Sequence, residues 1–117
     1  MSKGNLSRKE NQGTPRLSFE AYNISRERYL ELRNGCVTGK YSLELLSKAC
    51  TGFEWIEPWI LLSVTKGKSY DEMRKKWDLK EIGRIPYCRT DFYGIRRYFY
   101  HRLDLLLKEE DNIHEGI

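Results

Sequence analysis

Apolar residues recur at three- and four-residue steps in five stretches of this chain, and each stretch begins or ends on a residue suited to a helix terminus. Ser25 is a good N-cap, and the run behind it places Tyr29, Leu32 and Cys36 on one face of a helix ending near Gly35. Val37 to Tyr41 reads as a short connection. A second helix starts at Ser42 and uses Leu43, Leu46 and Ala49, with Leu45 alongside, before stopping ahead of Gly52. The third begins around Pro58, carries Trp59, Ile60, Leu62 and Ser63, and stops at Gly67. Ser69 and Glu72 form a capping box that opens a fourth helix through Met73 to Trp77, with Tyr70, Met73 and Trp77 facing inward.

Asp78 to Pro86 breaks helical order, with Gly83 and Pro86 as punctuation and Leu79 and Ile82 as buried lids. The last helix then runs from Cys88 or Thr90 to Lys108. It carries two stripes of opposite chemistry. Phe92, Ile95, Phe99, Leu103 and Leu106 stack on one side, and Arg89, Tyr93, Arg96, Arg97 and Tyr100 on the other. Gly94, inside this helix, costs about 1 kcal/mol relative to alanine; it either lets another helix or a nucleic-acid backbone approach closely or is simply tolerated. The expected fold is all-α: one helical domain over residues 17–108 with a helix-turn-helix-like unit at 69–107. A flexible arm, 1–16, and an acidic, frayed tail, 109–117, flank it.

Composition agrees with a single domain. The 117 residues are 39% hydrophobic and 32% charged, which suits a well-solvated helical domain better than a large sandwich. Phe53, Trp55 and Trp59 read as core rather than as a ligand cage. The net charge of +4 is unevenly placed: residues 66–102 hold eleven Lys and Arg against five Asp and Glu, leaving a slight acidic excess elsewhere. A one-sided basic excess beside tyrosines favours a nucleic-acid partner.

Cys36, Cys50 and Cys88 show no paired spacing and read as reduced thiols of a cytosolic protein. No apolar run is long enough to span a membrane. His101 reads as a surface residue, and His114 lies in the tail. With no paired nucleophile and base, no phosphate-cradling glycine loop and no metal-ligand set, neither an enzyme nor a cofactor or metal is expected.

A DNA-reading helix needs a brace, a turn and side chains that reach bases or phosphates from its first turns. Tyr70 to Trp77 supplies the brace and Ile85 to Tyr87 the turn. Arg89 and Thr90 sit where base-edge readers belong, and Tyr93 and Tyr100 share their side of the helix. Arg96 and Arg97 suit phosphates, with Lys75, Lys76 and Arg84 extending the footprint. Five neutralised phosphates would give a log-log salt slope of about −4.5.

The segment IPYCRTDFYGIRRYFYHRLD resembles the C-terminal part of small proteins encoded by phages and prophages of Gram-positive bacteria. Those proteins are similar to the helix-turn-helix of sigma factor region four and of phage late-gene activators. Ile85 and Pro86 match the turn; Arg89, Phe92, Tyr93, Arg96, Arg97, Phe99 and Leu103 match the helix. ISRERYLEL, from Ile24 to Leu32, resembles the opening helix. The resemblance implies a phage-derived DNA-binding transcriptional regulator in the cytoplasm of a bacterial host. Homodimerisation on a palindrome would fit that role.

Two alternatives stay open. The arginines can instead solvate a structural helix, pairing with Asp91, Asp104 and the acidic tail. Or the same basic, aromatic face binds a host protein: RNA polymerase, or the target of an anti-CRISPR-like inhibitor.

Overall fold

A computed structural model describes residues 15–78 and 84–115, and over these the chain is all-helical. Five α-helices follow in order: α1 (Arg26–Thr38), α2 (Leu43–Ala49), α3 (Glu57–Lys66), α4 (Tyr70–Asp78) and α5 (Arg89–Glu115). A 3-10 turn, Glu54–Ile56, leads into α3. The caps form as the sequence implies. Ser25 and Ser42 accept from the backbone N–H of Arg28 and Leu45, each at 3.1 Å. In the capping box the Ser69 N–H donates to Glu72 Oε1 at 2.8 Å and the Glu72 N–H to Ser69 Oγ at 3.1 Å. Gly67 closes α3 in the left-handed conformation.

The architecture is organised around α5, which packs against α1, α2 and α4, while α3 packs on α1 and α2. Phe92, Ile95, Phe99 and Leu103, four members of the apolar stripe, are buried, and Leu106 is half-buried. Leu32, Leu46, Ile56, Ile60 and Met73 meet them from the surrounding elements. The polar side of α5 is covered as well: Asp91, Gly94, Tyr100 and Asp104 are all buried. A helix enclosed on more than one side is the core of this domain rather than an appendage to it.

Several expectations are corrected. Helix α1 continues a full turn past Gly35 to Thr38, and Gly39, at φ 81°, is the actual cap, its N–H donating to the Gly35 carbonyl. Gly35 lies inside the helix because the Tyr41 ring occupies the space a Cβ would need. Leu43 is 68% exposed, since the first turn of α2 overhangs the edge of the core that Leu46 and Ala49 enter. Trp55 is half exposed at the rim, its indole N–H donating to Tyr87 Oη at 2.9 Å, whereas Phe53 is buried. The backbone of α5 runs past Lys108 to Glu115, so the tail begins as helix. Residues 1–14, Leu79, Ile82, Gly83 and the side chains of Trp77 and His114 lie outside the described residues.

The end of the expected arm is docked. Arg16 Nη2 pairs with Asp91 at 2.8 Å, and the Pro15 carbonyl lies where a Cβ on Gly94 would be. The close approach expected at Gly94 is therefore made by the chain's own backbone. Phe19 continues this strap onto Tyr29, with ring centroids 4.7 Å apart, and Tyr22 stacks on His101 at 4.4 Å.

Burial sorts the three thiols. Cys36 and Cys50 are enclosed, and burial pushes both thiols up to about 12. Cys88, ahead of α5, is exposed. Because the thiolate is the nucleophile, iodoacetamide at pH 8 should alkylate Cys88 alone in the native protein and all three thiols in denaturant. Mass spectrometry reads the count, and rapid native labelling of Cys36 would contradict the packing.

Candidate nucleic-acid interface

The candidate residues begin where α4 and α5 approach each other. Tyr70 anchors the junction: its ring is buried, centroid 5.5 Å from that of Phe92, and its hydroxyl donates to the Tyr87 carbonyl at 2.8 Å. This fixes the start of α5 against the brace. Arg89 stands at that start, largely exposed, with Nη2 2.6 Å from Oδ1 of the equally exposed Asp71. The Asp71 carboxylate raises the Arg89 guanidinium further above its ordinary value. Thr90 is exposed beside it.

One turn on, the same side of α5 is committed to the fold. Tyr93 Oη accepts from the Tyr70 N–H at 2.9 Å and so satisfies an otherwise unpaired donor at the start of α4. Arg96 lies over the Tyr93 ring, 4.6 Å from its centroid, and donates from Nη1 to Ser63 Oγ at 3.0 Å. Arg97 donates from Nε to the Leu17 carbonyl at 3.0 Å, holding the N-terminal strap. Tyr100 is only 2% exposed and packs edge-on against Tyr29; burial raises its phenol pKa. The Tyr100 ring is therefore part of the core, withdrawn from the α5 face expected to meet duplex DNA. Its position one turn beyond Arg96 brings it under α1, which the local pattern of one helix does not reveal.

On α4, Lys75 is exposed and Lys76 half-buried. Arg84 is exposed and shares with Arg74, Pro86 and Cys88 a shallow groove of about 430 Å³. The structure thus leaves Arg84, Arg89 and Thr90 exposed at the entry to α5 and Lys75 exposed on α4. It withdraws Tyr93, Arg96, Arg97 and Tyr100 to differing degrees. The carboxylates considered as partners of the α5 arginines are taken by other cations: Asp91 by Arg16, Asp104 by Arg28 and Lys108.

Comparison with protein families, curated proteins and solved structures gives no match to the chain. Among the described residues no helix is long and apolar enough to cross a membrane, and no three His, Cys, Asp or Glu side chains converge as metal ligands.

Sequence reasoning missed Arg74, Arg33 and Lys68. Arg33 and Lys68 meet Arg96 in a second concavity, between α1, the α3–α4 turn and α5. The signal for Arg33 was present: Tyr29, Arg33 and Val37 repeat at four-residue steps, a tyrosine-arginine stripe on α1 facing that of α5.

Proposed function

We propose that this protein binds duplex DNA at the α4–α5 junction, in the regulatory role of the small phage-type proteins that its last-helix motif resembles. The observation that carries the reading is the exposure of Arg89 and Thr90 at the first turn of α5, with exposed Arg84 in the groove that reaches Cys88 beside them and Lys75 exposed on the bracing α4. A helix start with cations beside it attracts phosphate, and an arginine at that position can pair with a guanine edge. The brace is rigid because Tyr70, Phe92 and Tyr93 interlock beneath the patch. In this reading Tyr93 holds the junction, Arg96 ties α5 to α3 and Arg97 holds the N-terminal strap, and none of them touches DNA.

The salt dependence tests the reading. With three phosphates neutralised, the logarithm of the association constant against log salt should have a slope of about −2.7, shallower than the slope of about −4.5 expected for five. Fluorescence anisotropy with random and phage-derived duplexes should show this slope. A Lys75→Ala, Arg84→Ala, Arg89→Ala variant should lose binding at least tenfold, and Lys48→Ala, on exposed α2 surface, should not. Absence of duplex binding by the folded protein at low salt overturns the proposal.

A protein partner is the second reading, and one observation favours it. Exposed Val37 and Leu43, with Tyr41 and Leu46, border an apolar groove of about 480 Å³ between α1, α2 and α3. An inhibitor of a host nucleoprotein, or a module that docks on RNA polymerase, would use such a surface together with the basic patch.

A further inference from the structure

The concavity between α1, the α3–α4 turn and α5 has a volume of about 310 Å³, at the lower end of the range for small-molecule sites. Three cations border it: Arg33 from α1, Lys68 from the turn and Arg96 from α5. The one carboxylate at its edge, Glu72, is committed to the capping box. The Ser69 N–H that it accepts lowers its pKa, so it stays ionised without pairing with Arg33. Two positive charges are left over.

The donors are arranged rather than merely present. Stacking on Tyr93 and one bond to Ser63 fix the plane of the Arg96 guanidinium while leaving its other N–H groups unused. Arg33 forms no hydrogen bond or ion pair with any described residue. Tyr100 lines the cleft, its hydroxyl bonds to no described group, and the charges of Arg96 and Arg33 both act on it. A hydroxyl left without a protein partner in a cleft bordered by guanidinium groups is free to donate to an acceptor bound there.

We propose that this cleft binds the phosphoryl group of a small phosphomonoester, with Arg33 and Arg96 clamping its oxygens, Lys68 adding charge and the Tyr100 hydroxyl donating from below. Guanidinium forks match phosphate oxygens in geometry as well as charge. The half-buried Tyr29 and the aliphatic Val37 form the remaining wall, where an organic substituent would lie. The site is separate from the α4–α5 patch, so the two readings stand or fall independently.

Calorimetric titration of the full chain with inorganic phosphate, AMP and adenosine tests the proposal. Phosphate and AMP should bind and adenosine should not. Arg33→Ala, which removes a side chain with no internal partner, should weaken AMP at least tenfold. Tyr100→Phe, which keeps the buried ring, should weaken it about fivefold. The Lys75→Ala, Arg84→Ala, Arg89→Ala variant should bind AMP as wild type does, even if it loses DNA. Preference for a 5′-phosphorylated oligonucleotide over AMP would identify a strand end as the source of the phosphoryl group, and the reverse preference a free metabolite. Failure of phosphate and AMP to bind at millimolar concentration, equal binding of adenosine, or indifference to both Arg33→Ala and Tyr100→Phe would overturn the proposal.

Discussion

Phe92→Ala should unfold the protein at a temperature lower by roughly 20 °C, through a loss of about 4 kcal/mol. The ring is fully buried and lies between Tyr70 of α4 and Tyr93 of its own helix, with centroids 5.5 and 5.6 Å away. Removing it deletes most of the apolar contact between α4 and α5. It also leaves a cavity that neighbouring rings, held by the Tyr70–Tyr87 and Tyr70–Tyr93 hydrogen bonds, cannot collapse to fill. Phe92→Leu retains much of the volume and should cost about 1.5 kcal/mol. Urea denaturation followed by circular dichroism measures both. An alanine variant within 1 kcal/mol of wild type would mean that α4 is not seated on α5 as described.

The second large effect is electrostatic. Arg28→Ala should cost about 3 kcal/mol, because it strips the principal cation from a buried carboxylate. Asp104 is 3% exposed; Arg28 Nε reaches its Oδ1 at 2.7 Å and Lys108 Nζ its Oδ2 at 3.1 Å. Lys108 is largely exposed and cannot alone offset the desolvation of the carboxylate, so Lys108→Ala should cost less than 1 kcal/mol. The double variant Arg28→Met with Asp104→Leu removes both charges and should be more stable than Arg28→Ala alone. Chemical denaturation of the set, analysed as a cycle, separates the cost of an orphaned charge from the worth of the pair. An Arg28→Ala variant as stable as wild type would show that water reaches Asp104.

These two effects also mark how far the sequence could be read. Helix ends were legible where a cap acts locally: Ser25, Ser42, the Ser69–Glu72 box and Gly67 carry their geometry within four residues. The apolar stripe of α5 was legible for the same reason, since Phe92 to Leu103 follow one period. Its other face was not. Tyrosine and arginine look solvent-facing on an isolated helix, but Tyr100 is roofed by α1, and Arg97 is claimed by a carbonyl 80 residues away. Asp91 and Asp104 find their cations at separations of 75 and 76 residues, beyond any local pattern. Gly35 misled in the opposite way. A glycine near a helix end resembles a cap, and only the Tyr41 ring shows why this one sits inside. The basic patch survived in part because Lys75 and Arg89 lie in the end turns of their helices and Arg84 on the connection before α5, where neighbouring helices do not cover them.

Helix α5 follows the other described helices in sequence and is the one around which they are arranged, so translation delivers the centre of the domain after the elements that pack on it. At ordinary rates of synthesis, α1 waits on the order of ten seconds for this packing partner. Until Leu103 has left the ribosome, α1 and α2 can close only against α3, and until Gly94 has emerged, the strap at Pro15 has no glycine to rest on. A product released early lacks the scaffold rather than a peripheral part. Only a chain translated through α5 can close this core.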